Sequence, residues 1–373
     1  MITRNKSIIT NGKVEELYSI KKFPVFIGIT KKDISTDIFY DLTFDICKET
    51  GMIQLRNLID SDIIYAEFHS ENIGEIWESH HNLLSEIIST HANNKKILEI
   101  GGSDSRLALK TININEKIKN WTIIEPILKG KIENKKIVYI EKFFDQTCIN
   151  REYDIVVHSH VLEHMIDVNQ FLQSISKSMK YGQYHIFSVP HLYKWLQNKL
   201  LNTITFEHTS FLTEEFIDYF LSCNNFKIID KIFYREHSIL YVTKKQKTNK
   251  LQLPNKYTEY KELYLQCINY YKNIVNSINK ELENTNNDVY LFGAAFVSQY
   301  LIALGLNTLK IKCILDNSPI KSGKRLYGTN LFIKSPNDVV LDENSLIILK
   351  VGHYKDEIKQ QLIGINSNIK FYE

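Results

Sequence analysis

The chain has 373 residues, 43% of them hydrophobic, 12% aromatic and 24% charged, which supplies apolar surface for two or three domains of about 150 residues each. Its 46 basic and 43 acidic side chains leave a net charge of +3, without the dense basic footprint of a nucleic-acid-binding protein. Five scattered Cys with no CxxC pair argue for reduced, structural thiols rather than a disulfide framework.

No apolar run approaches the ~18–20 residues of a membrane span. The N-terminal stretch MITRNKSIITNGKVEE has neither the apolar core nor the small-residue cleavage site of a secretion signal. A cytoplasmic protein without membrane or nucleic-acid partners is expected.

Residues 1–90 form a mixed block that ends in IWESHHNLLSEIISTH, where Ile76, Leu83, Leu84, Ile87 and Ile88 recur at helical spacing. Residues 91–245 alternate short β-rich runs (KILEI, WTIIE, KIVYI, DIVVHS, YHIFSV, FKIID, ILYVTK) with helices such as VNQFLQSISKSMK. That alternation predicts a mostly parallel sheet covered by helices. Residues 246–287 read as a polar linker followed by a long helix over 257–284, with Leu263, Cys267, Tyr270, Tyr271, Ile274 and Ile278 as its apolar stripe. Residues 288–373 alternate again: VYLFG, a helix over FVSQYLIALG, KIKCILD, LFI, SLIILKV, then a terminal helix. The fold expected is α/β, a Rossmann-like core between a small N-terminal module and a second, C-terminal Rossmann-like domain.

The segment KKILEIGGSDSRLALK carries most of the chemical information. A strand ends at Glu99-Ile100-Gly101, and a turn of small residues then enters a helix whose N-terminus offers unpaired N–H groups. Glu125 ends the next strand, where a carboxylate suits the two hydroxyls of a ribose. A nicotinamide dehydrogenase needs GxGxxG at this place, and Gly101-Gly102-Ser103-Asp104-Ser105 is not that. The plainer alternative is a tight strand-to-helix turn with no ligand. His158, His160 and His164 lie close together in sequence, but no neighbouring Cys or acidic pair completes a ligand set. No metal is expected there, and His164 is assigned to capping the following helix.

The Glu99–Asp104 turn, together with YDIVVHSHVLEHMID over 153–167, resembles the class I S-adenosylmethionine-dependent methyltransferases. The resemblance implies S-adenosyl-L-methionine as cofactor. It places Glu99, Gly101, Ser103 and Asp104 on the methionine and ribose side, Glu125 on the ribose hydroxyls, Phe143 and Phe144 by the adenine, and Ser159 and His160 at the sulfonium end.

Beyond that core the chain resembles the three-domain C-methyltransferases of nucleotide-linked deoxysugars. The N-terminal module of that family carries C-x-x-C-G-(L/M)-x-Q-L. Here Cys47-Lys48-Glu49-Thr50-Gly51-Met52-Ile53-Gln54-Leu55 matches it except at Thr50, and the upstream Cys pair is missing. A zinc-less variant of the module is therefore expected. The C-terminal motifs recur as Gly293-Ala294-Ala295, Asp316 to Gly323, Tyr327-Gly328-Thr329 and Asp356-Glu357-Ile358. The family's Y-x-E-H signature survives as Glu207-His208, with Thr205 in place of the Tyr. His237-Ser238 retains part of an H-G-G-S run.

The resemblance implies transfer to a small-molecule acceptor, a nucleotide-linked sugar in carbohydrate biosynthesis. Carbon beside a ketone would be methylated, with His208 as base and Glu207 supporting it. Tyr65, His69, His191 and Lys321 are assigned to the acceptor side. Two alternatives remain open: O- or N-methylation of a surface-polysaccharide or natural-product precursor, and a non-catalytic nucleotide-binding module.

Overall fold

A computed structural model describes residues 1–64, 74–128, 131–145, 153–350 and 355–373. The N-terminal module is an antiparallel three-stranded sheet, β1 (Val14–Pro24), β2 (Phe39–Cys47) and β3 (Ile53–Leu55), in that spatial order. Helix α1 (Glu75–His91) leads into the central domain. There β4 (Lys96–Ile100), α2 (Arg106–Ile114), β5 (Asn120–Ile124), β6 (Ile137–Ile140), β7 (Ile155–Ser159), α3 (Val168–Ser178), β8 (Tyr184–Pro190), α4 (Glu214–Cys223), β9 (Phe226–Tyr234) and β10 (Ser238–Lys245) follow in turn.

The seven strands pair in the order β9-β10-β8-β7-β4-β5-β6. Strands β4 to β8 run parallel to one another, while β10 is antiparallel to both β8 and β9. Both faces of this sheet are covered, which is why its strands read as unbroken apolar runs. Side chains alternate between two cores. Leu98, Ile100, Ile124 and Val156 pack with α3, α4 and the N-terminal module. Ile97, Trp121, Ile123 and Val157 pack under α1 and α2 through Leu84, Ile88, Leu107 and Ile112. The chain builds outward from β4 through β5 to β6, then returns to place β7 on the other side of β4. The carboxyl ends of β4 and β7 thereby open a crevice at the switch point of the sheet, where open α/β folds bind ligands.

Helix α5 (Tyr257–Asn284) has 28 residues, about 42 Å at 1.5 Å per residue. Its first half buries Tyr260, Tyr264, Cys267 and Ile268 in the central core. Its second half buries Val275, Ile278 and Leu282 in the C-terminal core. The C-terminal domain contains β11 (Val289–Phe292), α6 (Phe296–Ala303), β12 (Ile311–Leu315), β13 (Ile333–Lys334), β14 (Leu346–Leu349), α7 (Lys355–Ile365) and β15 (Lys370–Tyr372). Its five strands are all parallel, in the order β13-β12-β11-β14-β15. The expected terminal helix forms, but the chain continues past it: residues 370–372 add an edge strand to β14. A three-residue strand is too short to show periodicity. No helix among the described residues is long and apolar enough to cross a membrane.

The two turns at residues 7–12 and 47–52 are held together by hydroxyl groups around Cys47. Ser7 and Thr10 sit at the C-x-x-C spacing that the sequence reading found empty, and with Thr50 they hydrogen-bond the buried Cys47 sulfur. Burial pushes the thiol up, but the three hydroxyls outweigh it and leave Cys47 below the usual thiol range. Backbone N–H groups of Thr10, Gly12 and Met52 donate to the Ser7, Thr10 and Thr50 hydroxyls, so three alcohols and one thiol hold both turns.

Candidate functional site

The turn after β4 is built around two glycines. Gly101 has φ +76°, and a Cβ there would sit 2.6 Å from Val161 Cγ2; both facts favour glycine. At Gly102 a Cβ would lie 2.6 Å from Ile123 Cγ2 and 3.0 Å from Glu99 Cδ. Glu99 lies beneath this turn, buried, with Trp121 Nε1–H donating to its Oε2 at 2.7 Å. Burial pushes its carboxyl up to about 8, against the pull of that indole bond; Asp104 and Glu125 add to the rise. At neutral pH Glu99 is largely protonated.

Glu125 stands at the end of β5 and faces the turn. Its Oε2 accepts from Ser103 N–H at 3.1 Å and its Oε1 from Ile127 N–H at 3.1 Å. Asp104 pairs with Arg106 at 2.8 Å. Phe143 is half exposed, whereas Phe144 packs edge-on against Phe171 with centroids 5.2 Å apart. Across the crevice, Ser159 Oγ shares a 3.0 Å hydrogen bond with Ser188 Oγ. His160, at φ +52°, places Nε2 2.8 Å from Ser238 Oγ and its ring 4.7 Å from Trp77. Gly101, Ser103, Asp104, Glu125, Ser159 and His160 thus lie at or just past the carboxyl ends of β4, β5 and β7, with Glu99 buried beneath the turn.

The loop carrying Glu207-His208 is pinned to the N-terminal sheet: Leu55 N–H donates to Thr209 O at 3.0 Å and Phe211 N–H to Ile53 O at 2.8 Å. It is also tied to the turn after β7, because Thr209 N–H donates to Glu163 O at 3.0 Å and its hydroxyl to Met165 O at 2.5 Å. These bonds bring His164 and His208 together, with ring centroids 5.2 Å apart. Glu163 lies between them and the sheet, 1% exposed. Thr205, at the place of the signature Tyr, turns its hydroxyl back on its own loop and accepts from Glu207 N–H at 3.0 Å and His208 N–H at 3.3 Å.

His208 Nδ1 lies 3.3 Å from Thr203 O and His164 Nδ1 2.9 Å from Glu207 O. A carbonyl only accepts, so in the neutral rings both Nδ1 atoms carry the proton and both Nε2 atoms keep a lone pair. Burial pushes His208 down to about 4; His164 adds to this, and Glu207 and the Thr203 carbonyl oppose it. Burial pushes Glu163 up to about 7.

Of the three histidines grouped by sequence, His158 points into the sheet, its Nε2 3.0 Å from His185 Nε2. The cap assigned to His164 belongs instead to Asp167, which accepts from Gln170 N–H at 2.8 Å; His164 sits in the turn ahead of the helix and its ring turns to Glu207. His191 packs against Phe233 at 5.4 Å. Lys321 lies in the C-terminal domain, where it pairs with Asp316 at 2.9 Å and donates to Ala294 O at 3.0 Å. Tyr65 and His69 fall outside the described residues.

Sequence reading passed over two buried side chains. Glu163 stood inside the quoted VLEH stretch, next to His164, where adjacency to a candidate was its only signal. Tyr300, on α6, brings a fully buried hydroxyl with no hydrogen-bond partner among the described residues. Two shallow clefts of about 250 and 220 Å³ lie along the seam of the N- and C-terminal units, lined by residues such as Lys32 and Arg325 or Lys22 and Tyr327. Neither touches the glycine turn.

Two family models match the chain: a methyltransferase domain over residues 71–231 and a C-methyltransferase C-terminal domain over residues 232–371. No curated protein matches it. Among solved structures, a putative S-adenosylmethionine-dependent methyltransferase from Listeria monocytogenes is similar at 15% identity and TM-score 0.36, over 44% of this chain and 99% of that one. An O-methyltransferase family protein from Burkholderia thailandensis is similar at 11% identity and TM-score 0.36, over 46% and 56%. The N-methyltransferase NodS from Bradyrhizobium japonicum is similar at 14% identity and TM-score 0.36, over 48% and 100%.

Proposed function

The chain belongs to the class I S-adenosylmethionine-dependent methyltransferase superfamily, and from that premise we propose that it methylates a small polar acceptor, a nucleotide-linked sugar, at a carbon beside a ketone. The crevice fits the cofactor. Gly101 and Gly102 keep side chains off the end of β4, and Glu125 places a carboxylate at the end of β5, facing the turn, where it would take the ribose hydroxyls. Phe143 and Phe144 would border the adenine, and Ser159 and His160 the sulfonium end. Bound S-adenosylmethionine supplies a methyl group already activated on sulfur, so the protein has to exclude water, align the acceptor and take one proton.

The observation that carries this reading is the bare Nε2 of His208, held by a loop pinned both to the N-terminal sheet and to the turn after β7. Nε2 would take the proton beside the ketone, leaving the carbon to attack the methyl group in line. Glu207, one residue away, would favour the imidazolium that results. Alignment is worth up to ~7–11 kcal/mol in favourable cases, and a placed base typically ~10²–10⁴-fold. The C-methyltransferase C-terminal family match over 232–371 supports carbon as the methylated atom.

A second reading, transfer to a hydroxyl oxygen, draws on Thr205: its side chain is spent on its own loop and offers the acceptor no phenol. The test uses methyl-labelled cofactor with a panel of nucleotide-linked sugars and locates the label by mass spectrometry and NMR. In the same assay His208→Gln lowers turnover by ~10²–10⁴-fold with cofactor affinity nearly unchanged. Turnover within a few-fold of the parent rejects the base.

A further inference from the structure

Glu163, His164 and His208 offer one ligand atom each, and the three atoms lie within 4.8 Å of one another. Both imidazoles are oriented from behind, His164 Nδ1–H on the Glu207 carbonyl at 2.9 Å and His208 Nδ1–H on the Thr203 carbonyl at 3.3 Å. A backbone carbonyl on the far nitrogen is the support that metal-binding histidines use to fix tautomer and ring direction. It leaves Nε2 of each ring as a lone pair with no proton. The third group is the more telling one. Glu163 is 1% exposed; its Oε1 lies 3.8 Å from His164 Nε2 and 3.6 Å from His160 Nδ1, and its Oε2 is buried with no hydrogen-bond partner among the described residues. A buried carboxylate oxygen without a partner is costly. The two imidazoles turn their Nδ1 atoms to backbone carbonyls and offer it no donor from that side; a cation among the three would satisfy it.

We propose that Glu163, His164 and His208 form a binding site for a divalent first-row transition-metal ion of the zinc class, open on its remaining side to the acceptor. Two imidazoles and one carboxylate suit zinc and its borderline neighbours rather than calcium or magnesium, which prefer all-oxygen shells. Three protein ligands leave at least one position for water or substrate, the pattern of catalytic rather than structural sites. The backbone links Thr209 N–H to Glu163 O and Thr209 Oγ to Met165 O hold the two ligand-bearing segments in register.

The proposal rests on the functional reading only for what the ion does. Held there, it would draw electron density from the acceptor's ketone or hydroxyl oxygen and stabilise the charge left when the proton goes. The His208 lone pair would then hold the ion rather than act as the base proposed above, and the proton would pass to water at the ion's open side.

Metal binding is read without any acceptor, so that its failure is distinct from failure to methylate a sugar. The full-length protein is stripped with a chelator, loaded with Zn²⁺ or Co²⁺, passed through gel filtration and analysed for metal. The parent is expected to retain one equivalent, with a visible ligand-field band in the Co²⁺ form. Glu163→Gln and His208→Ala should each retain less than a tenth of that and lose the band. Cofactor affinity within a few-fold of the parent shows that each variant is folded, and His164→Ala replaces either one that is not. A parent that retains no metal, or metal that persists in the Glu163→Gln/His208→Ala double variant, overturns the proposal even if labelled methyl still reaches a sugar. One bound equivalent that the variants lose supports it even if every sugar in the panel stays unmethylated.

Discussion

Glu99 and Glu125 end adjacent strands of one sheet and carry the same carboxyl group, yet their surroundings separate them. Glu125 accepts two backbone N–H bonds at the mouth of the crevice, whereas Glu99 is buried against Trp121 with a carboxyl raised to about 8. Glu125→Ala should therefore weaken S-adenosylmethionine binding by roughly 1.5–3 kcal/mol, or about 10- to 150-fold, as titration calorimetry would register. Unchanged affinity in a folded variant removes the ribose assignment. Glu99 affects stability instead. Its folded value of about 8 lies above the ordinary 4.5, so its stabilising share is complete below pH 4.5 and lost as pH rises to 8. The buried His185 does the reverse: burial lowers it from 6.5 to about 3, so its share is complete above pH 6.5 and lost as pH falls towards 3. Each changes stability by at most about 1.4 kcal/mol per pH unit. Denaturant titrations of Glu99→Gln across pH 4.5–8 should show the alkaline decline flattened and the acid limb retained; parallel curves for variant and parent would refute this.

At the scale of elements, residues 7–12 and 47–52 keep two tight turns with one of the four thiols carried by the nucleotide-sugar C-methyltransferases the sequence resembles. The replacements are isosteric or nearly so: hydroxyl oxygens of Ser7, Thr10 and Thr50 point at Cys47 Sγ and accept the N–H bonds that thiolates would. Because the backbone is already in place, the variant Ser7→Cys/Thr10→Cys/Thr50→Cys should bind one Zn²⁺ more than the parent, held by four sulfurs. Elemental analysis after dialysis measures it, and a chelator should then lower that variant's melting temperature by more than the parent's. An unchanged metal content would mean that the four side chains do not converge as described. The second turn also bears on the active crevice, because β3, which follows it directly, pairs with the loop that presents His208.

Over the whole molecule, the three units are joined by buried polar and aromatic contacts. Arg325 in the C-terminal domain makes a two-pronged ion pair with Asp37 of the N-terminal module, at 2.6 and 2.7 Å, with both side chains almost fully buried. Asp37→Ala leaves that guanidinium uncompensated and should cost about 3–5 kcal/mol, read from denaturant unfolding; a loss under 1 kcal/mol would mean that water reaches the pair. Phe23 of the module touches Tyr300 of α6 at 4.7 Å and Phe206, two residues before His208, at 6.0 Å. Through this junction all three units meet beside the loop that carries His208.

Local pattern was enough to read the central sheet. Its strands are covered on both faces, so the apolar runs at KILEI, WTIIE and DIVVHS needed no partner to be recognised, and the glycines of the turn announced themselves by type. The resemblance that implied the cofactor rests on that same stretch, because a strand end, a glycine turn and an acidic residue one strand later are all short-range features. The terminal strand at 370–372 escaped because pairing, not periodicity, makes three residues a strand. Tertiary structure alone decided the acceptor end. Glu163 and His208 are 45 residues apart and meet only because Thr209 bonds the turn after β7. Ser7 and Thr10 are recognisable as stand-ins for thiols only once they are seen around Cys47. Side chains that act by converging from distant segments leave no spacing to read, since the distance between them is set by packing rather than by the chain.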